Sequence, residues 1–349
     1  PARLTGRPFY ELFLDGQEHT GWTSETFSKA YVEAVKHFGI DGWYLYGGLK
    51  ELTEKKMNQE IVTVPQGRTV KRWIDTPKGR LTEEEIFFAD EPSWKEMKVI
   101  KDLRADFERF LLWKGNEWRW EAEFRDRDRI GDYGVYVGLI PLFQDWWFDL
   151  RHGGFEQIFT DFLDEERFMD GVYEFYTRWG LAYIEAMVRA KPDEILFGAA
   201  ASSLSCSSPK FFLKYDVPFL QKAVKIAHDG GILTHLHICG KSFKLAEIVC
   251  ESTDVDVMEP LEEPPGGDVD LAEAKKRFGN KICIKGNINT FDFLLHATAD
   301  EVKEKAKRCI DAAAAGGGYV LSTGDQCGRD TPFENIFALV EVAKTYGKY

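Results

Sequence analysis

The stretch Gly231-Ile232-Leu233-Thr234-His235-Leu236-His237-Ile238-Cys239-Gly240 decides how the rest of the chain is read. A short apolar and β-branched run bounded by glycines is the signature of a buried strand. Its carboxyl end carries His237 and Cys239, and alternation along an extended chain sends both side chains to one side. An imidazole and a thiol converging at a strand end are the donors that zinc prefers. A further cysteine, Cys327, follows a second glycine-bounded strand, Gly317-Gly318-Tyr319-Val320-Leu321, with Ser322-Thr323-Gly324-Asp325-Gln326 between. His237, Cys239 and Cys327 are therefore candidate ligands of one zinc ion, although on spacing alone a buried histidine or cysteine is more often packed or hydrogen-bonded than metallated.

Working outward, the same pattern repeats. Strands are predicted at Asp41–Gly48, Tyr133–Ile140, Ile195–Gly198, Ile232–His237, Val255–Pro260, Lys281–Gly286 and Tyr319–Leu321. Helical spacing separates them, at residues 23–40, 154–189, 209–226, 270–278, 299–314 and 333–346. Strands alternating with helices predict a parallel sheet, most simply a (β/α)8 TIM-type barrel in which strand ends share one mouth. Seven strands are legible and the eighth is not. Before the second strand, Ile61–Val64, Lys71–Thr76 and Gly79–Thr82 around Pro77-Lys78-Gly79 predict a β-hairpin appendage, and Trp94 to about Arg129 has helical spacing. We expect one domain over residues 1–349, with 1–130 an N-terminal helical and hairpin elaboration plus the first strand, and 131–349 the main barrel with the metal site.

Composition bounds the function. With 45 lysines and arginines against 58 acidic residues the formal net charge is −13, which argues against nucleic acid or an anionic membrane surface as a partner. Hydrophobic residues make up 44%, enough for a sizeable core. No run of about 20 apolar residues predicts a membrane span, and the N-terminus lacks a signal-peptide pattern. Six scattered cysteines do not form a disulfide framework. A reducing cytoplasm is the expected compartment.

From about Phe197 onward the chain resembles the uroporphyrinogen decarboxylase superfamily, and within it the corrinoid-linked methyltransferases. The resemblance rests on Ser208-Pro209, His237-Ile238-Cys239-Gly240, Gly286-Asn287-Ile288-Asn289, Gly317 to Asp325 and Thr331-Pro332-Phe333-Glu334-Asn335-Ile336, in that order. It implies a barrel, and it implies His237, Cys239 and Cys327 as zinc ligands. It also implies methyl transfer to or from a corrinoid on a small partner protein, since no cobalamin-binding Asp-x-His-x-x-Gly motif occurs in these residues. In the family's decarboxylases an arginine-rich N-terminal motif grips substrate carboxylates; Arg3-Leu4-Thr5-Gly6-Arg7-Pro8 stands here instead, which argues against porphyrinogen decarboxylation.

The remaining candidates surround the expected mouth. Tyr46, Phe143, Trp146 and Trp147 suggest a flat apolar pocket for a methoxylated aromatic ring, or core packing under a long loop. That pocket favours demethylation of a small O-methyl substrate with transfer to cobalt. The thiol-rich metal site favours the alternative, a methylcorrinoid:thiol methyltransferase. A zinc-stabilised docking module is the non-enzymatic alternative. Asn287 and Asn289 either hold a substrate polar group or cap the next helix. Glu259 and Asp325 are candidates for proton transfer or for orienting the zinc histidine, with Cys206 and Glu259 also open as a fourth ligand.

Overall fold

The computed structural model describes residues 24–47, 49–65, 67–88, 93–122, 126–328 and 330–348. The chain enters them through α1 (Ser24–Phe38), which ends at Gly39 with φ 63°, a left-handed conformation suited to glycine. Strands β1 (Gly42–Gly47) and β2 (Leu49–Glu51) follow, then β3 (Asn58–Val64), β4 (Gly67–Thr76), β5 (Gly79–Phe88) and β6 (Trp94–Met97). Helix α2 (Leu103–Lys114) and β7 (Trp120–Ala122) close the N-terminal part.

After that come β8 (Gly134–Pro141), α3 (Phe143–Leu150), α4 (Gly154–Asp164), α5 (Glu166–Ala190), β9 (Glu194–Gly198), α6 (Val217–Asp229) and β10 (Leu233–Ile238). The chain finishes with α7 (Phe243–Ser252), β11 (Val257–Pro260), α8 (Leu271–Phe278), β12 (Cys283–Ile288), α9 (Ala299–Ala313), β13 (Tyr319–Thr323) and α10 (Phe333–Thr345). Helix starts are chemically marked. Asp270 caps α8 by accepting the Glu273 N–H, and Thr298 with Glu301 forms a reciprocal capping box at α9.

Seven strands pair in parallel in the order β1-β8-β9-β10-β11-β12-β13. They are the seven legible in the sequence, curled with helices around them in the manner of a TIM-type barrel. No eighth strand joins this sheet among the described residues. Its two ends approach each other, since Ile40 and Asp41 ahead of β1 line one cavity with Leu321 of β13 and Leu339 of α10. Helices α1 and α10 cover that side, with the Phe38 ring 5.0 Å from that of Phe333. Trp43, Val137 and Leu196, alternate residues on three adjacent strands, form a small apolar cluster. The main apolar core joins the strands to the surrounding helices.

Several local expectations need correcting. The predicted hairpin exists, β4 with β5, but belongs to a four-stranded antiparallel sheet, β3-β4-β5-β6. Trp94–Arg129 is not one helix. Trp94–Met97 pairs with β5, Asp102 caps α2 through the N–H groups of Arg104 and Ala105, and Gly115 at φ 65° ends it. Residues 154–189 divide into α4 and α5 at Glu165. The aromatic run after β8 is helix α3 rather than loop. Among the described residues no helix is long and apolar enough to cross a membrane.

Candidate metal centre

Adjacent strands set the site. In the register of β10 and β11, His237 pairs with Glu259, and on the other side with Gly198 of β9. The Glu259 carboxylate accepts from or faces His237 Nδ1 at 2.9 Å, which leaves Nε2 as the imidazole's outward nitrogen. Nε2 lies 3.9 Å from Oδ2 of Asp325, just beyond the end of β13. Cys239, just past the end of β10, completes a set in which the donor atoms of His237, Cys239 and Asp325 all lie within 4.8 Å of one another. That spacing and donor chemistry, one imidazole nitrogen, one sulfur and one carboxylate oxygen, fit a single divalent ion such as zinc.

The turn after Cys239 is fixed tightly. Gly240 has φ 78°, and a Cβ there would stand 2.6 Å from Ser205 Oγ and 2.8 Å from Ser203 Oγ, so only glycine fits. Its N–H donates to the carboxylate of Glu262, which also lies close to Gly324 ahead of Asp325. One side chain from the loop after β11 therefore hydrogen-bonds the loop that carries Cys239 and lies beside the loop that carries Asp325.

Carboxylates surround the set. Burial and the carboxylates of Asp325, Glu262 and Asp145 push the Cys239 thiol up to about 12, so a bound cation is what would make it a thiolate near neutral pH. Burial tends to raise Glu259 as well, but Lys285, His235 and the contact with His237 outweigh it and hold this carboxyl well below its ordinary range. Asp145, whose carboxylate accepts the Ala201 N–H at 3.1 Å, is held well above the usual range by burial and then by Asp216 and Asp149.

The sequence-predicted residues fall into three groups. His237, Cys239, Asp325 and Glu259 come together, the last behind the imidazole. Cys327 lies outside the donor set; it is buried, and burial pushes its thiol up to about 12 beside Thr323. Chain alternation gave no guide to this, because the extended path ends at Thr323 and Gly324 turns it. Phe143, Trp146 and Trp147 are core: exposure is 0%, 8% and 0%, and the Phe143 ring lies 5.0 Å from Tyr215 and 5.4 Å from Tyr176. The expected aromatic slot is thus filled by the protein's own rings. Asn289 caps the next turn through the Asp292 N–H at 2.8 Å, and Asn287 donates to the Leu261 carbonyl at 3.0 Å. The Tyr46 side chain lies outside the described residues, as do residues 3–8.

Sequence reading missed Glu262, Asp145 and Lys285. The signal for Lys285 was present, since a lysine inside a buried parallel strand requires a partner.

Comparison with known proteins agrees with this architecture. The pattern of the uroporphyrinogen decarboxylase (URO-D) family matches residues 150–346, more than half of the chain. A methylcobamide:CoM methyltransferase, MtbA of Methanosarcina acetivorans, is 27% identical over 217 residues, 61% of this chain and 58% of its own length. MtaA of Methanosarcina barkeri, with the same activity in its name, is 34% identical over 170 residues, 49% of this chain and 47% of its own. A uroporphyrinogen decarboxylase of Dechloromonas aromatica is 28% identical over 174 residues, 48% of this chain and 46% of its own. The chain thus spans about half the length of these curated relatives. Among solved structures, a methyltransferase from Methanosarcina mazei superposes with a TM-score of 0.67 at 18% identity, covering 99% of this chain and 93% of that one, a likeness of fold. With the matched pattern running from the end of α3 to the last helix, the chain belongs to the uroporphyrinogen decarboxylase family.

Proposed function

We propose that the chain is a zinc-dependent, corrinoid-linked methyltransferase that moves a methyl group between the cobalt of a corrinoid and a small thiol. The single observation that supports this best is the donor set of His237, Cys239 and Asp325 gathered at the ends of β10 and β13. Similarity to relatives named methylcobamide:CoM methyltransferases, over 61% and 49% of this chain, supports it further. The corrinoid comes from outside these 349 residues, on a small partner protein.

A zinc ion with an open position supplies, when bound, the positive charge that keeps a thiol deprotonated and nucleophilic at neutral pH. The protein's own residues prepare for it. Glu259 holds Nδ1 so that Nε2 faces the donor set, Glu262 pins the Gly240 turn beneath Cys239, and Asp325 offers the third donor. Cys327, two residues beyond Asp325, is the third ligand named from the sequence and lies outside the set of His237, Cys239 and Asp325. The burial of Phe143, Trp146 and Trp147 speaks against demethylation of a methoxylated aromatic, the direction those rings suggested.

The test is spectrophotometric. Methylcobalamin is mixed with the zinc-loaded protein and a series of thiols, and cobalt(I) cobalamin with methoxyarenes. Zinc-dependent loss of methylcobalamin with thiols is expected. Turnover only with the ethers would establish the demethylase, and release of carbon dioxide from a porphyrinogen by the metal-free chain would establish a decarboxylase.

A further inference from the structure

The interior below the donor set holds a row of ionisable groups, Glu259, Lys285, Glu194 and His235. The β11–β12 register pairs Met258 with Ile284, which brings Lys285 beside Glu259, itself beside His237. Lys285 Nζ lies 2.5 Å from Glu259 Oε2, with the two side chains 6% and 4% exposed. The same carboxylate uses its other oxygen, Oε1, for His237 Nδ1 at 2.9 Å. The ammonium in turn sits 3.3 Å from the centre of the Trp43 ring. The Trp43 indole N–H donates to Glu194, whose Oε1 lies 3.1 Å from His235 Nδ1.

A carboxylate gripped at one oxygen has one rotation left, and a second contact removes it. Without Lys285, Oε2 of Glu259 faces His235 Nε2 at 3.7 Å, too far for a hydrogen bond to fix the carboxylate about its axis. Clamped by a buried ammonium that an indole face holds in place, it presents Oε1 in one direction. We propose that Lys285 is a positioning residue for the metal, acting through Glu259 to hold His237 with Nε2 turned toward Cys239 and Asp325. This rests on the metal centre proposed above, and it extends that centre two strands across the sheet. Partners behind a metal-bound histidine typically contribute 10- to 100-fold in metal affinity, the scale expected here.

The experiment compares zinc affinity, by competition with a chromogenic chelator, and the visible spectrum of the cobalt(II)-substituted protein for wild type and Lys285→Met. Methionine keeps the length of the side chain and removes the ammonium. The expected result is a zinc affinity about 10- to 100-fold lower, with altered cobalt bands and a metal-free chain that still unfolds cooperatively. Since Lys285→Met leaves Glu259 buried without its cation, the double variant Lys285→Met/Glu259→Gln is measured alongside. It keeps an acceptor for Nδ1 and removes the stranded Glu259 charge, so it is expected to fold and still to bind weakly. Wild-type affinity and wild-type cobalt bands in either variant would overturn the inference while leaving the metal centre standing. A wild-type chain that binds no zinc would remove both.

Discussion

Trp147→Ala separates a ligand pocket from a packed core. Trp147 is wholly buried in α3, its ring 6.0 Å from Phe107 and 6.2 Å from Trp146, and its indole N–H reaches Asp161 Oδ2 at 3.3 Å. Truncating a buried tryptophan costs about 3–5 kcal/mol, from lost burial and the cavity left behind. Asp161 keeps Arg151 and Gln157 as partners, so losing the indole bond adds little. The expected loss is thus about 4 kcal/mol, a large part of the ~5–15 kcal/mol that holds a typical domain folded. Urea denaturation followed by tryptophan fluorescence and circular dichroism measures it. A loss below about 1 kcal/mol, accompanied by a raised KM for a methyl donor or acceptor, would refute the core assignment and restore the aromatic pocket.

Three further outcomes are expected. Asp161→Ala strands Arg151, whose Nε lies 2.6 Å from Asp161 Oδ2 at 7% and 3% side-chain exposure, so it should cost about 3–5 kcal/mol in the same denaturation assay. Asp216 is wholly buried and its carboxyl is pushed up to about 6 by burial, which outweighs donation from Ser202 and Gln144. The folded chain therefore holds this proton more tightly than the unfolded one, and the resulting stability, about 3 kcal/mol at ~1.4 per unit, is present below pH ~4 and lost as pH rises through 6; Asp216→Asn should flatten that slope. In the cobalt(II) protein, Asp325→Ala should weaken metal binding, whereas Cys327→Ala should leave the sulfur-to-cobalt absorption unchanged. A halving of that absorption would instead make Cys327 a second thiolate ligand.

The barrel was legible because each of its seven strands is an apolar run closed by glycine or proline, as in Gly231–Ile238 and Lys281–Gly286. Helices were legible where capping chemistry coincided with periodicity, as at Asp270 and Thr298. Aromatic content misled where it replaced periodicity. Phe143, Trp146 and Trp147 have helical spacing, but their size suggested a binding slot, and only their packing, Phe143 against Tyr176 and Tyr215, Trp146 against Tyr176 and Trp147 against Phe107, tells the two apart. The donor cluster was legible as far as the strands run: alternation puts His237 and Cys239 on one side, whereas beyond Thr323 it is a loop that brings Asp325 to the imidazole. Glu262 and Lys285 act through contacts between neighbouring strands and loops, and register is invisible in a linear pattern.

The most direct measurement is zinc content by atomic emission after exhaustive dialysis, for wild type and for His237→Gln and Cys239→Ser. One zinc per wild-type chain, lost in both variants together with thiol-dependent consumption of methylcobalamin, is the predicted result. A zinc-free wild type that consumes methylcobalamin at full rate, or zinc retained in both variants, would contradict the metal centre on which the proposed function stands.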